Sequence, residues 1–251
     1  MVHLPPLPGA PGFTGTVEEI SSRAAEEATV LTRAGFDGVL VENYGDTPFY
    51  PADVPPETVS ALAVVVRAVV QETTVPVGVN VLRNDSLSAL GIAVATGAGF
   101  IRVNVHTGSM FTDQGLLQGR AHETIRKRAA LGADVSILAD VLVKHATPPP
   151  GVDLDSAARD TWLRGGPDGL ILTGTETGAP VDPESIRGVR ETLPADAKVW
   201  VGSGGNPDNG KDLLQVADGL IVGSSLRAGG IAGAPLDPAR IASFMDALGR
   251  G

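Results

Sequence analysis

Glu42 and Asp140 end two short apolar runs, Gly38–Glu42 and Val135–Val141. Alternate residues of a strand share a face, so Glu42 lies in parity with Gly38 and Leu40, and Asp140 with Ser136 and Leu138. Two carboxylates at one rim could work as an acid/base pair or as ligands for a hard metal. Asp140 has three readings: metal ligand, general base, or ion-pair partner of Lys144. A buried lysine gives up its proton readily enough to act as a base or a Schiff-base nucleophile. His145 adjoins it, and His3 and His106 also fall at predicted strand ends, making three of the four histidines in the chain. Their spacing matches no zinc motif. A divalent metal is a weak expectation, and no cofactor is required.

Two further runs, Pro76–Leu82 and Phe100–His106, alternate strictly around a helix-like segment, Leu87–Thr96. Val77, Val79 and Val81 share one face of the first run, with Asn80 on the other. In the second, Ile101, Val103 and Val105 oppose Arg102, Asn104 and His106. A parallel strand is ordinarily apolar on both faces, and such polar groups are costly to bury without partners. The polar faces are read as a ligand-facing wall. Arg102 is expected to pair with a carboxylate such as Glu42 or Asp140, or to meet a substrate anion. Asn80 and Asn104 are placed to read hydroxyls. For Asn43, Asn84, Asp85, Asp113 and Gln114, helix caps and turns account equally well.

Gly202-Ser203-Gly204-Gly205 and Gly223-Ser224-Ser225 follow two late apolar runs. Glycine lets backbone N–H groups approach an anion, a following helix adds its positive dipole end, and the serines add hydroxyl donors. Two adjacent Gly/Ser turns favour phosphate binding over plain tight turns.

Eight strand–helix units must position these groups. The strands are Met1–Leu4, Gly38–Glu42, Pro76–Leu82, Phe100–His106, Val135–Val141, Gly169–Leu172, Lys198–Val201 and Gly219–Val222. The helices are Val17–Ala34, Glu57–Glu72, Leu87–Thr96, Gly119–Leu131, Leu154–Arg164, Pro183–Thr192, Asn209–Val216 and Pro238–Leu248. Thr16 and Glu19 form a capping box for the first helix, and Gly35 stops it. Eight alternations with no linker indicate one α/β domain over residues 1–251, a TIM (β/α)8 barrel. Phosphate commonly binds after strands 7 and 8 of such barrels, where the two Gly/Ser turns fall. A doubly wound open sheet is the alternative.

The chain has 251 residues, 43% of them hydrophobic, a net charge of −10 and no cysteine. That charge and the lack of any basic run argue against nucleic acid. Without cysteine there is no disulfide and no thiolate site. No apolar run is long enough to span a bilayer, and the N-terminus carries no leader pattern, so a cytoplasmic location is expected.

MVHLPPLPG (1–9), VENYGDTPF (41–49), PVGVNVLRND (76–85) and FIRVNVHTG (100–108) resemble blocks of the BtpA family. ADVLVKHA (139–146), LTGTETG (172–178), VGSGGNP (201–207) and DGLIVGSSLRAGG (218–230) continue the resemblance in order. It implies a TIM barrel of the phosphate-binding type, with a name drawn from photosystem I biogenesis and no settled reaction. Residues that usually precede the first block are missing, which puts the first strand in question. Gly205 replaces the usual residue after Ser-Gly, and Arg227 stands where the family usually has lysine.

These readings favour an enzyme acting on a small phosphorylated metabolite such as a sugar phosphate. Isomerase, epimerase or lyase chemistry fits better than redox, since no dinucleotide fingerprint follows an N-terminal strand. Glu42, Asp140, Lys144 and His145 would be catalytic. His3, Asn80, Arg102, Asn104 and His106 would bind substrate, and the Gly202–Gly205 and Gly223–Ser225 turns would hold phosphate. The alternatives are a non-catalytic biogenesis or stability factor, for photosystem I or another complex, and a phosphometabolite sensor. Barrels of this type often assemble as homo-oligomers.

Overall fold

The computed structural model describes residues 1–174 and 181–250. Most of the LTGTETG block thus lies outside the described residues. Eight parallel strands form one sheet in chain order: β1 (Val2–His3), β2 (Val39–Glu42), β3 (Val77–Asn80), β4 (Phe100–Val103), β5 (Ser136–Val141), β6 (Gly169–Leu172), β7 (Val199–Val201) and β8 (Gly219–Leu220). The sheet curls into a TIM-type α/β barrel, as the alternation of units predicts. β1 is short but pairs with β2 through Val2↔Val41 and His3↔Glu42. A hydrogen bond from the Met1 backbone nitrogen to the Val222 carbonyl (2.9 Å) ties β1 to the far edge.

The strand faces divide as the alternation requires. Val39, Val41, Val77, Val79, Ile101, Val103 and Ile137 belong to the apolar layer under the helices. The opposite faces point into the barrel, whose lower part is filled by pairing a glycine with a bulky neighbour. A Cβ on Gly78 would lie 2.1 Å from the Phe100 ring, one on Gly169 2.8 Å from Leu138, and one on Gly219 2.4 Å from Trp200. Those rings and branches occupy the space the glycines leave, so the barrel is a packed plug below and open only above.

The helices are α1 (Val17–Arg33), α2 (Pro56–Glu72), α3 (Ser86–Thr96), α4 (Ala121–Ala130), α5 (Leu154–Asp160), α6 (Pro183–Glu191), α7 (Gly210–Leu213) and α8 (Pro238–Ala247). Thr16 and Glu19 make the expected reciprocal capping box at α1. Three departures from expectation bear on the site. The fifth helix turns into a π-helical segment at Thr161–Gly165. The seventh keeps only four residues. It starts within a residue of the expected position, after a turn in which the Asn206 amide donates to Asn209 Oδ1 and Asn206 Oδ1 accepts from Asp208 and Asn209. Its expected last turn tightens, with the Gln215 and Val216 amides donating three residues back to Asp212 and Leu213. The stretch read as a loop around Asp113 is a hairpin, Ser109–Thr112 against Gly115–Gln118. Its alternation is hard to see in the chain because only Met110 and Leu117 are buried, while Phe111 and Leu116 stay exposed.

Candidate active site

The open upper end of the barrel is a cavity of about 1120 Å³, lined by groups from the ends of most of the strands. Glu42 enters from β2, Arg102 and Asn104 from β4 and its exit, Lys144 and His145 after β5. The Gly202–Gly205 turn follows β7, and Gly223, Ser224 and Ser225 follow β8. His3 closes the ring from β1. A cavity of similar size lies outside, between α1 and α2, lined by Val30, Val64, Ala68 and rim carboxylates such as Glu18 and Glu72. It gathers no comparable set of donors.

Arg102 and Asp140 form the pivot of the inner wall. Arg102 Nε donates to Asp140 Oδ1 and Nη2 to Oδ2, both at 3.0 Å, and Asn104 Nδ2 donates to Oδ2 at 2.8 Å. Burial disfavours the guanidinium charge, and the facing carboxylate more than offsets that, raising Arg102 above its ordinary value. Of the partners the sequence offered Arg102, the structure selects Asp140. Both Asp140 oxygens are thereby engaged, and its side chain is fully buried behind Arg102. Neither an Asp140–Lys144 ion pair nor an open Asp140 base is present among the described residues. Arg102 Nη2 would lie 3.4 Å from a Cβ at Gly202, so the guanidinium abuts the β7 turn.

Two residues expected on the ligand-facing wall sit behind it. Asn80 is 1% exposed and donates to the Arg102 carbonyl and to Asn104 Oδ1. His106 is fully buried, with Nε2 3.0 Å from the Gly165 carbonyl oxygen in the π-helical segment. β4 ends at Val103, so strand parity no longer decides where His106 points. Caps and turns account for most of the loop amides and acids. Asp85 caps α3 through the Ser88 amide, Asn43 bridges Asp46 and Leu82, and Asn84 pairs with Val105. Asp113 and Gln114 hold Arg83, which lies over the Phe49 ring.

Glu42 is the buried carboxylate that lines the cavity; Asp113, also at its rim, is exposed and held by Arg83. Burial pushes it above its ordinary value of 4.5; Arg102 opposes the shift and Asp140 adds to it. No hydrogen bond from a described residue contributes to that balance. Folded Glu42 binds its proton more tightly than unfolded Glu42. Its contribution to stability is therefore full below the ordinary value and is lost as pH rises through the shifted one. Glu42→Gln is expected to raise the Tm relative to the parent protein at about pH 8, with the gain disappearing by about pH 4. Thermal melts of both proteins across that range check the sign.

His3 is neutral. Burial, then nearby positive charge, lowers its pKa to about 3. Its Nδ1 accepts the Gly233 amide (3.3 Å), so the neutral ring carries its proton on Nε2. That edge adjoins Gly223, where a Cβ would lie 3.3 Å from Nε2. Tyr44 packs on the ring at 4.8 Å. Tyr44 was missed in the sequence, although an aromatic in the loop after β2 was a visible signal. Thr173 was missed too; its Oγ1 accepts the Lys144 amide (3.1 Å), pinning the rim of β5 to the end of β6.

The two Gly/Ser turns meet on one wall, with His3 of β1 between Gly223 and Glu42. Ser203 Oγ and Ser225 Oγ are both buried without a hydrogen-bond partner. A Cβ on Gly202 would lie 2.4 Å from Ile171, so only glycine lets this turn pass so close. Gly204 adopts φ +79°, which favours glycine. After β8 the chain enters a short 3₁₀ turn, Ser224–Leu226. The dipole of a following long helix, expected after β7, is not available from the four-residue α7. Arg227 does not reach the cavity: it is fully buried, binding Glu27, the Met1 carbonyl and the Ala234 carbonyl.

Among the described residues no group of three or more His, Asp or Glu side chains could hold a metal ion. No helix among them is long and apolar enough to cross a membrane.

A model of the BtpA family matches residues 1–250. This chain belongs to the BtpA family. It is 46% identical over 251 residues to the photosystem I biogenesis protein BtpA of Synechocystis, covering 100% of this chain and 87% of that protein. An uncharacterized protein of Pyrococcus horikoshii is 46% identical over 230 residues, covering 92% and 87%. Solved structures similar to this BtpA-family chain include N-(5'-phosphoribosyl)anthranilate isomerase from Pyrococcus furiosus, with a TM-score of 0.56, 16% identity and coverage of 90% and 94%. Tryptophan synthase from M. tuberculosis gives 0.59 at 19% identity, covering 99% and 91%. At such identities the likeness concerns the barrel alone.

Proposed function

We propose that this BtpA-family chain is an enzyme acting on a small phosphorylated metabolite such as a sugar phosphate, by isomerase, epimerase or lyase chemistry. The observation that carries the reading is the pair of buried hydroxyls, Ser203 Oγ and Ser225 Oγ, unpartnered on adjacent glycine turns beside one polar cavity. Buried polar atoms in folded proteins are nearly always satisfied. Of the unpartnered ones among the described residues, which also include Asn80 Oδ1, His106 Nδ1 and Arg227 Nε, these two belong to residues lining the cavity, and a phosphate would accept from both. The His3 Nε2–H edge adds a neutral donor near Gly223. Arg102, held by Asp140, supplies a fixed positive wall next to Gly202, and Asn104 lines the cavity beside it.

Glu42 is the proton-transfer group in this reading. A carboxyl shifted upward by burial works nearer neutral pH than an exposed one. Lys144 and His145 stand at the same rim. Asp140 positions Arg102, and Asn80 positions Asn104, without touching substrate. A phosphoribosyl isomerase among the fold's neighbours is compatible with phosphate bound at this end of the barrel.

The name of the Synechocystis relative favours a second reading, an assembly factor that uses the barrel as a scaffold. A thermal-shift screen of phosphorylated metabolites, followed by turnover assays on the hits, separates the two. A ligand at about 100 times its Kd adds about 2.7 kcal/mol to native-state stability. The enzyme reading expects at least one such hit to be converted, and Glu42→Gln to keep the stabilisation while losing conversion. Conversion undiminished in Glu42→Gln removes Glu42 from the chemistry.

A further inference from the structure

We infer that Lys144 is a covalent nucleophile which forms an imine with a carbonyl carbon of the substrate. The inference rests on the reading above and narrows its substrate class to phosphorylated aldehydes and ketones. Three observations meet at this residue.

The first is placement. Lys144 lines the same cavity as Glu42, Arg102, Ser203 and Ser225, and among the described residues it has no ion-pair partner. Asp140, the acid closest to it in the chain, is taken by Arg102. The other three lysines, Lys127, Lys198 and Lys211, are exposed on the outer surface.

The second is the backbone that presents it. Among the described residues, Leu142 and His145 are the non-glycine residues with positive φ, at 49° and 63°. They flank Lys144 within four positions. Left-handed conformations at such residues cost on the order of 1–3 kcal/mol and cluster at functional sites. The Lys144 amide is anchored to Thr173 Oγ1 between them. The chain thus leaves β5 in a kink that places the Lys144 amine in the cavity; the other amine lining it, at Met1, is held by the Val222 carbonyl.

The third is charge. Burial and the permanently cationic Arg102 lower the Lys144 pKa, while Glu42 and Asp140 oppose the shift. A neutral amine is the form that attacks a carbonyl.

In the step itself, the Nζ lone pair forms a C–N bond to the carbonyl carbon. The carbonyl oxygen gains one proton from Nζ and one from the Glu42 carboxyl and leaves as water, giving a protonated imine and a Glu42 carboxylate. The Glu42 carboxylate then takes a proton from the adjacent carbon; the C–H electron pair becomes a C=C bond as the C=N⁺ π pair moves onto nitrogen, giving an enamine. Returning that proton, or releasing a neighbouring C–C bond in its place, gives isomerase, epimerase or lyase outcomes. Water restores the amine. No oxidant or metal is required.

The test is reductive trapping. The full chain is incubated with glycolaldehyde phosphate and cyanoborohydride, and adducts are mapped by peptide mass spectrometry. Labelling is expected to concentrate at Lys144, faster than at any of the three surface lysines by about tenfold for each pH unit its pKa is lowered. Inorganic phosphate is expected to slow it, and Lys144→Arg to remove this adduct while keeping phosphate-dependent stabilisation. Even labelling of all four lysines, or labelling that phosphate does not slow, overturns the inference. If phosphate still raises the Tm, the phosphate-site reading survives that outcome; if it does not, both fall.

Discussion

Asp140→Ala is expected to destabilise the protein by about 3–5 kcal/mol, because it leaves a buried guanidinium without its counter-charge. Arg102 and Asp140 have side chains only 8% and 0% exposed, so water cannot replace the lost partner. The Asn104 amide loses its acceptor in the same change. Replacing both members by apolar residues, Arg102→Met with Asp140→Leu, is expected to recover most of the loss, since a buried pair is often no more stable than a well-packed apolar substitute. Urea unfolding of the parent, single and double variants measures this, with a shift in midpoint at constant slope. A single variant as stable as its parent would show that the pair is dispensable. This expectation also separates Asp140 from Glu42. Loss of Asp140 acts through folding, whereas Glu42→Gln is expected to stabilise at neutral pH.

The second large effect belongs to Arg227. Its side chain is 0% exposed and binds Glu27 Oε2 at 2.9 Å, the Met1 carbonyl at 3.0 Å and the Ala234 carbonyl at 2.6 Å. One guanidinium thereby ties α1, the start of β1 and the glycine-rich segment after β8. Arg227→Met leaves the Glu27 carboxylate, 11% exposed, with Arg23 Nε at 3.4 Å as its remaining partner and unpairs two carbonyls; it is expected to cost about 3 kcal/mol. Arg227→Lys regains only part of this, because a single ammonium cannot reproduce a planar fork serving several acceptors. Both variants are expected to weaken phosphate-dependent stabilisation as well, since Ser224 and Ser225 immediately precede the clamp. Melts with and without phosphate check both effects.

The barrel was legible because its signals are periodic and repeated. Val77/Val79 and Ile101/Val103 take the helix-facing side, and the capping box at Thr16 and Glu19 forms as written. The hairpin at Ser109–Gln118 was not legible, since each strand buries a single side chain. α7 was cut short at its C-terminal end, where the Gln215 and Val216 amides bond three residues back rather than four.

At the site, parity worked within the strands and failed beyond them. Arg102 and Glu42 face inward as expected. His106, three residues past the end of β4, does not line the cavity. Asn80 faces inward but too deep, where only Arg102 and Asn104 are in reach. Which carboxylate would take Arg102 could not be read from alternation at all; it depends on the stagger between β4 and β5, which sets Arg102 opposite Leu138 and leaves Asp140 one layer higher. In the chain Arg227 was visible only as a basic residue where the family usually has lysine. Only the packing of α1 against the segment after β8 reveals its partner.

The central claim is that the turns carrying Ser203 and Ser225 hold a phosphate group. Isothermal titration of inorganic phosphate, or of glycolaldehyde phosphate without reductant, into the parent chain and Ser203→Ala/Ser225→Ala tests it directly. Each lost hydrogen bond to a charged oxygen is worth about 1.5–3 kcal/mol, so the double variant is expected to bind at least a hundredfold more weakly while unfolding at a similar urea midpoint. Saturable binding of equal affinity to both proteins would place the anion elsewhere and contradict the account.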